Sequence, residues 1–119
     1  MQSVGVDAVE ISRVGALIGR YGERFLRRVY TAAEIERSRG RVPELAARFA
    51  GKEAVSKALG TGLRGIAWRE IEVLSDWRGK PLVHLHGKAA RRAEDLGLTT
   101  FAISLTHSRE LAIAFVVAT

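Results

Sequence analysis

Residues 45–62 read LAARFAGKEAVSKALGTG, a run of good helix formers closed by glycine. Pro43 stands just upstream, in the first turn, where its missing N–H costs nothing. At 100° per residue, Leu45, Phe49 and Glu53 fall within roughly 80° of arc, and Lys57 continues that line by one more turn. Arg48, Lys52 and Ser56 form the adjacent line. One side of a helix built to pack therefore carries Arg48, Lys52, Glu53, Ser56 and Lys57. An exposed face with an ordinary Glu–Lys pair explains this blandly; a face turned to a ligand explains it functionally.

Upstream of this helix, Val4, Val6 and Ala8 alternate with Gly5, Asp7 and Val9, the pattern of a half-buried strand. Residues 10–20 place Ile11, Val14, Leu17 and Ile18 on one helical face. Gly22 interrupts, and Phe25, Leu26 and Val29 suggest a second short helical piece. Thr31 followed by Glu34 is a capping box that opens a helix over 32–38. Downstream, the period changes near residue 70. IEVLSD and PLVHLHG read as strands joined by WRGK, with Gly79 in the turn. Residues 88–96 form an amphipathic helix ended by Gly97, and FAISLTH and LAIAFVVA form a second hairpin across SRE. The order is β-α-α-α-β-β-α-β-β with antiparallel pairing, an α+β fold with one long helix.

The 119 residues suit a single domain over 1–119, large enough to bury roughly two-thirds of the surface its unfolded chain exposes. The absence of cysteine excludes disulfides, thiolate metal sites and a thiol nucleophile. MQSVGVDAVEISRV lacks the basic start and apolar core of a secretory signal, and no apolar run approaches the ~18 residues of a membrane span. A cytoplasmic protein with no membrane partner is the expectation. Nineteen Lys and Arg against thirteen Asp and Glu give a formal charge of +6, which favours an anionic partner. The excess is concentrated in residues 13–28, where Arg13, Arg20, Arg24, Arg27 and Arg28 face one acid, Glu23.

Asp7 falls mid-strand between apolar neighbours, where an unpaired carboxylate is costly to bury. Arg13 or Lys57 could meet it, or a hard metal ion could. Mg2+ is typically held by one or two carboxylates, with substrate phosphates and water completing the shell; Asp7 and Glu53 are the candidate pair. Gly60 and Gly62 make a glycine turn at a helix C-terminus, read first as a stop and second as a close approach to a ligand. His84 and His86 share a strand face as a possible metal pair without a third ligand nearby. His107 ends a strand beside Thr106 and Ser108, the histidine best placed for function.

Together, VGVDAVEISR, LAARFAGKEAVSKALGTG and ISLTHSRELAIAFVV, with IEVLSDWRGKPLVHLHG between the last two, resemble the three signature regions of the holo-(acyl carrier protein) synthases, the small 4′-phosphopantetheinyl transferases. The resemblance covers essentially the whole chain, and the central motif, F-x-x-K-E-A-x-x-K-A-x-G, is the most specific part. It implies Mg2+-dependent transfer of phosphopantetheine from coenzyme A to a serine of an acyl carrier protein, releasing adenosine 3′,5′-bisphosphate. It implies that Asp7 and Glu53 hold the metal and that Lys57 lies near the diphosphate. Arg48, Lys52, Ser56, Gly60, Gly62 and His107 would lie on the coenzyme side. The acidic carrier would dock on Arg13, Leu17, Arg20, Arg24, Phe25, Arg28 and Phe49. Members are commonly homotrimers with the coenzyme cleft between subunits, and LAIAFVVA suits such an interface as well as a core strand. Some members carry an acid after the histidine where this chain has Ser108; deprotonation of the carrier serine then falls to Glu53, directly or through a bound water.

Two rival readings remain at this stage. A basic nucleic-acid-binding module is supported by charge alone, since aromatics make up 7% of the chain and no strand shows the paired aromatics of an RNA-stacking sheet. A non-catalytic family member is disfavoured by the intact Asp7, Glu53 and Lys57.

Overall fold

A computed structural model describes all residues, Met1–Thr119. In chain order the elements are β1 (Ser3–Glu10), α1 (Ile11–Tyr21), α2 (Glu23–Val29), α3 (Ala32–Ser38), α4 (Val42–Ala58), a 3-10 turn (Trp68–Glu70), β2 (Ile71–Ser75), β3 (Pro81–Leu85), α5 (Gly87–Leu96), β4 (Phe101–His107) and β5 (Leu111–Ala118). This is the expected α+β order with one extra 3-10 turn. The strands form two antiparallel ladders, β1-β5-β4 and β2-β3. The capping box is present, with the Thr31 hydroxyl and the Glu34 carboxylate each accepting from the other's backbone N–H. In the β4–β5 turn the Ser108 Oγ accepts from the Glu110 and Leu111 N–H groups, so Ser108 shapes the hairpin.

The long helix α4 lies across the three-stranded sheet, and small residues let it lie close. Ala46, Ala50, Ala54 and Ala58 on the helix are buried, as are Ala112, Ala114 and Ala118 on β5. Gly5 makes the tightest approach: a Cβ there would stand 1.8 Å from the Ala54 carbonyl oxygen. The helix runs against β1, so Ser3 meets Ala58, its hydroxyl donating to that carbonyl at 2.6 Å. Hydropathy would turn Val4, Val6 and Ala8 inward. The structure turns Gly5, Asp7 and Val9 toward the helix and leaves Val4 and Val6 more than half exposed. The reason is steric: at this separation only small side chains, or one aimed past the helix edge, fit between strand and helix. The β5 strand repeats the rule, with Leu111, Ile113 and Phe115 outward.

The polar ladder of α4 divides. Arg48, Lys52 and Ser56 are buried, while Glu53 is half-buried and Lys57 exposed. The Lys52 Nζ donates to Glu34 Oε1 at 2.7 Å, to the Trp68 carbonyl at 3.1 Å and to the Ile71 carbonyl. The other Glu34 oxygen accepts from the Val73 N–H at 2.8 Å. One buried ion pair thus ties α4 to α3, to the 3-10 turn and to β2. Burial pushes the Lys52 ammonium pKa down, with Glu34 pulling the other way. Removing one member of such a pair strands a buried charge, at a cost of roughly 3–5 kcal/mol.

Two glycine substitutions separate close approach from simple helix propensity. Gly5→Ala is expected to destabilise by about 3 kcal/mol or more, since the new methyl must displace backbone. Gly51→Ala, in the middle of α4, is expected to stabilise by up to about 1 kcal/mol, because its methyl meets only Ile103, Val73 and Leu105 at 3.4–3.5 Å. Urea denaturation of both variants checks the pair; equal effects would contradict the packing described.

Candidate active site

The close packing of β1 on α4 delivers Asp7 to the edge of the helix beside Glu53 and Lys57. The Lys57 Nζ donates to Asp7 Oδ1 and to the Val6 carbonyl, both at 3.0 Å. The Asp7 side chain is 18% exposed and that of Lys57 is 50% exposed. Burial first, and then the Asp7 charge, push the Glu53 carboxyl above the usual carboxylate range, against the opposing pull of Lys57 and Arg13. Two half-buried carboxylates therefore repel each other, with the exposed Lys57 ammonium bonded to one of them. Two oxygen-donor carboxylates suit a hard divalent cation, and nowhere in the fold do three or more His, Asp or Glu side chains gather into a fuller protein cage. Two protein ligands leave most of a six-oxygen shell to substrate phosphates and water, as Mg2+ prefers.

His84 and His86 do not make a metal site. The His86 Nε2 lies 3.0 Å from Glu72 Oε1, and Glu72 also accepts from the Thr31 hydroxyl at 2.6 Å. This pairing belongs to the joint between β2 and α3.

Arg48 and His107 come together on the far flank of α4, in a small pocket of about 180 Å3 shared with Glu44, Ser75, Gly79, Pro81 and Thr106. Arg48 is buried but reaches this pocket. Asp7 stands opposite Ala114, whose other neighbour is Leu105, and His107 lies two residues further along β4. His107 is thus two strand spacings from β1, roughly 10 Å across the sheet. Within one chain, the acid–lysine cluster and the Arg48–His107 pocket are separate.

Lys52 and Ser56, expected on the coenzyme side, are buried and bonded within the fold. All three Lys52 donors are spent internally, and the buried Ser56 hydroxyl donates to the Glu53 carbonyl at 2.7 Å. Gly60 and Gly62 have left-handed φ of 78° and 59° and wrap the α4 C-terminus, with the Thr61 and Gly62 N–H groups both reaching the Ser56 carbonyl. The Arg92 Nε donates to the Leu59 carbonyl at 3.1 Å, fixing the same end.

A third feature is an open groove of about 490 Å3 lined by Leu17, Tyr21, Arg24, Phe25, Arg28, Val29, Phe49 and Trp68. Phe25, Phe49 and Trp68 stack in a row, with ring centroids 6.4 and 4.7 Å apart. Five residues expected to dock a partner therefore share one apolar trough with basic rims. Arg13 and Arg20 lie outside it: Arg13 is close enough to Glu53 to act on its charge, and Arg20 stacks on Tyr21 at 5.3 Å. Sequence reasoning missed Tyr21, Trp68 and Glu44; an i,i+4 Glu44–Arg48 spacing was the signal for the last.

The chain belongs to the 4′-phosphopantetheinyl transferase superfamily, whose sequence model matches residues 3–116. Within it, the relatives are holo-(acyl carrier protein) synthases. The one from Herpetosiphon aurantiacus is 52% identical over 124 residues, covering 98% of this chain and 98% of the relative. The one from Solibacter usitatus is 47% identical over 117 residues, covering 95% and 94%. The crystal structure of the Neisseria meningitidis holo-(acyl carrier protein) synthase superposes with a TM-score of 0.88 at 35% identity, over 98% of this chain and 97% of that one. The Helicobacter pylori enzyme, solved in complex with coenzyme A, gives 0.89 at 28% identity, over 98% and 99%.

The Glu53 carboxyl yields a stability prediction. A pKa raised in the fold means that its contribution is full below the ordinary carboxylate range and lost as pH rises through the raised value. Glu53→Gln is therefore expected to melt higher than the parent protein at neutral pH, by an amount that shrinks as pH falls through the carboxylate range. Thermal melts across that range check it; a lower melting temperature for the variant at neutral pH would contradict the electrostatics described.

Proposed function

We propose that residues 1–119 act as one transferase domain that moves 4′-phosphopantetheine from coenzyme A to a serine of an acyl carrier protein, in the cytoplasm. The observation that carries this reading is the convergence of Asp7, Glu53 and Lys57 at one edge of α4, in a chain whose relatives are holo-(acyl carrier protein) synthases. No helix is long and apolar enough to cross a membrane.

Asp7 and Glu53 would hold Mg2+, which when bound supplies Lewis-acid charge neutralisation for the coenzyme diphosphate. Lys57, half exposed and now serving Asp7, turns to a diphosphate oxygen and adds a second positive charge. Phosphoryl-type transfer is catalysed chiefly by such positioning and neutralisation. The carrier serine Oγ bonds to the phosphorus that bears pantetheine, as the bond from that phosphorus to the bridging diphosphate oxygen breaks. Adenosine 3′,5′-bisphosphate leaves. Glu53, directly or through a bound water, takes the hydroxyl proton.

The groove is the carrier's seat in this reading. Arg24 and Arg28 on its rim complement an acidic carrier, and Leu17, Phe25 and Phe49 supply the apolar floor. Arg13 and Arg20 belong to the approach rather than the trough, a refinement of the docking patch. The exposed sheet face bearing Val4, Val6, Ile113 and Phe115 is too apolar for open solvent. It supports a homotrimer in which the acid–lysine half-site of one subunit meets the Arg48–His107 half-site of its neighbour. Phe115→Glu, followed by analytical ultracentrifugation, is expected to give monomers without transfer; an active monomer would refute the shared site.

Intact mass spectrometry of an apo-carrier incubated with coenzyme A tests the activity. The expected result is one phosphopantetheine added with Mg2+ and none with a chelator. In the same assay Arg28→Glu should raise the carrier KM roughly tenfold or more while leaving the coenzyme KM nearly fixed. Modification that survives complete metal removal, or equal effects on both KM values, would overturn the respective assignments.

A further inference from the structure

We propose that Glu44 sets the affinity for coenzyme, because its carboxylate occupies the Arg48–His107 pocket where a phosphate group of that coenzyme binds and must give way to it. The inference rests on the transferase reading above and adds a residue to it.

Glu44 lies in the first turn of α4. Its Oε2 accepts from Arg48 Nη1 at 3.2 Å, and its Oε1 stands 4.0 Å from His107 Nε2. One carboxylate thus bridges the two groups in this pocket that an anion would seek. The burial of the three is unequal. The Arg48 side chain is 5% exposed, whereas Glu44 is 39% and His107 42% exposed. Arg48 is the buried floor, and Glu44 and His107 form the solvent-exposed mouth.

Glu44 is not needed to hold Arg48. The guanidinium also donates through Nε to the Val73 carbonyl at 3.1 Å, through Nη1 to the Glu44 main-chain carbonyl at 3.3 Å and through Nη2 to Ser75 Oγ at 3.4 Å. Those partners stay when the carboxylate swings out. Nor does Glu44 orient His107, because 4.0 Å is beyond a hydrogen bond. What the carboxylate does is satisfy the outer edge of the guanidinium and place a negative charge where a phosphate would sit. Coenzyme binding then exchanges one anion for another. Because the displaced carboxylate is partly solvated already, the exchange is cheap to make and its effect on affinity is moderate.

Glu44→Gln keeps the shape and an acceptor for Arg48 but removes the charge. The coenzyme KM is expected to fall about two- to fivefold, with the carrier KM nearly unchanged. Calorimetric titration of coenzyme A into Glu44→Gln should show a tighter Kd by the same factor, which reads the pocket independently of turnover. Arg48→Ala, run beside it, should weaken coenzyme binding. A coenzyme Kd that is unchanged or weaker in Glu44→Gln, while Arg48→Ala weakens it, would mean that Glu44 supports the site instead of competing for it. A coenzyme Kd indifferent to both substitutions would remove the phosphate from this pocket. Loss of transfer to carrier with coenzyme binding intact would instead bear on the transferase reading alone.

Discussion

The contact between Gly5 and the Ala54 carbonyl governs this molecule. Where any other residue would hold β1 away from α4, glycine lets strand backbone rest on helix backbone. Once that distance is set, the inner faces of β1 and β5 must be small, and the large residues Val4, Val6, Ile113 and Phe115 must turn outward. The same proximity brings a strand carboxylate, Asp7, to a helix carboxylate and a helix ammonium. Packing and chemistry have a common origin in one missing methyl group.

The charged residues of α4 serve two purposes on neighbouring lines of one helix. Lys52 is consumed by Glu34 and by two carbonyls, and it locks α4 to the elements around it. Glu53, its chain neighbour, is left poorly compensated, its carboxyl raised by burial and by Asp7. A rigid pair thus stands beside a strained one. Such an arrangement fits a site that holds its ligands in position before the ligand arrives, at some cost to the stability of the empty fold.

Local signals made much of the fold legible. The Thr31–Glu34 capping box, Pro43, Gly60, Gly97 and the two hairpin turns each act over a few residues, and all the elements they imply are present. The acid pair was legible too, because Asp7 sits against the hydropathy of its strand. The limits lay in treating polarity as exposure. Arg48 and Lys52 fall at three- and four-residue steps from Leu45, Val55 and Leu59, all buried, so the core stripe itself runs through them. Their burial depends on Glu34 and on carbonyls far along the chain, which no helical period reveals. The inward turn of β1 was hidden for the same reason, since it is set by a clearance between two elements. Trp68 joined the groove through a 3-10 turn with no periodic signature.

The transferase reading depends most on Asp7 and Glu53 acting on one cation. Mn2+, as a paramagnetic stand-in for Mg2+, reports this directly through electron paramagnetic resonance in the presence of coenzyme A. The parent protein is predicted to bind one Mn2+ per chain, and Asp7→Asn and Glu53→Gln are each predicted to lose it while remaining folded. Undiminished Mn2+ binding in either variant would contradict a shared cation and leave the two acids as neighbours by packing alone.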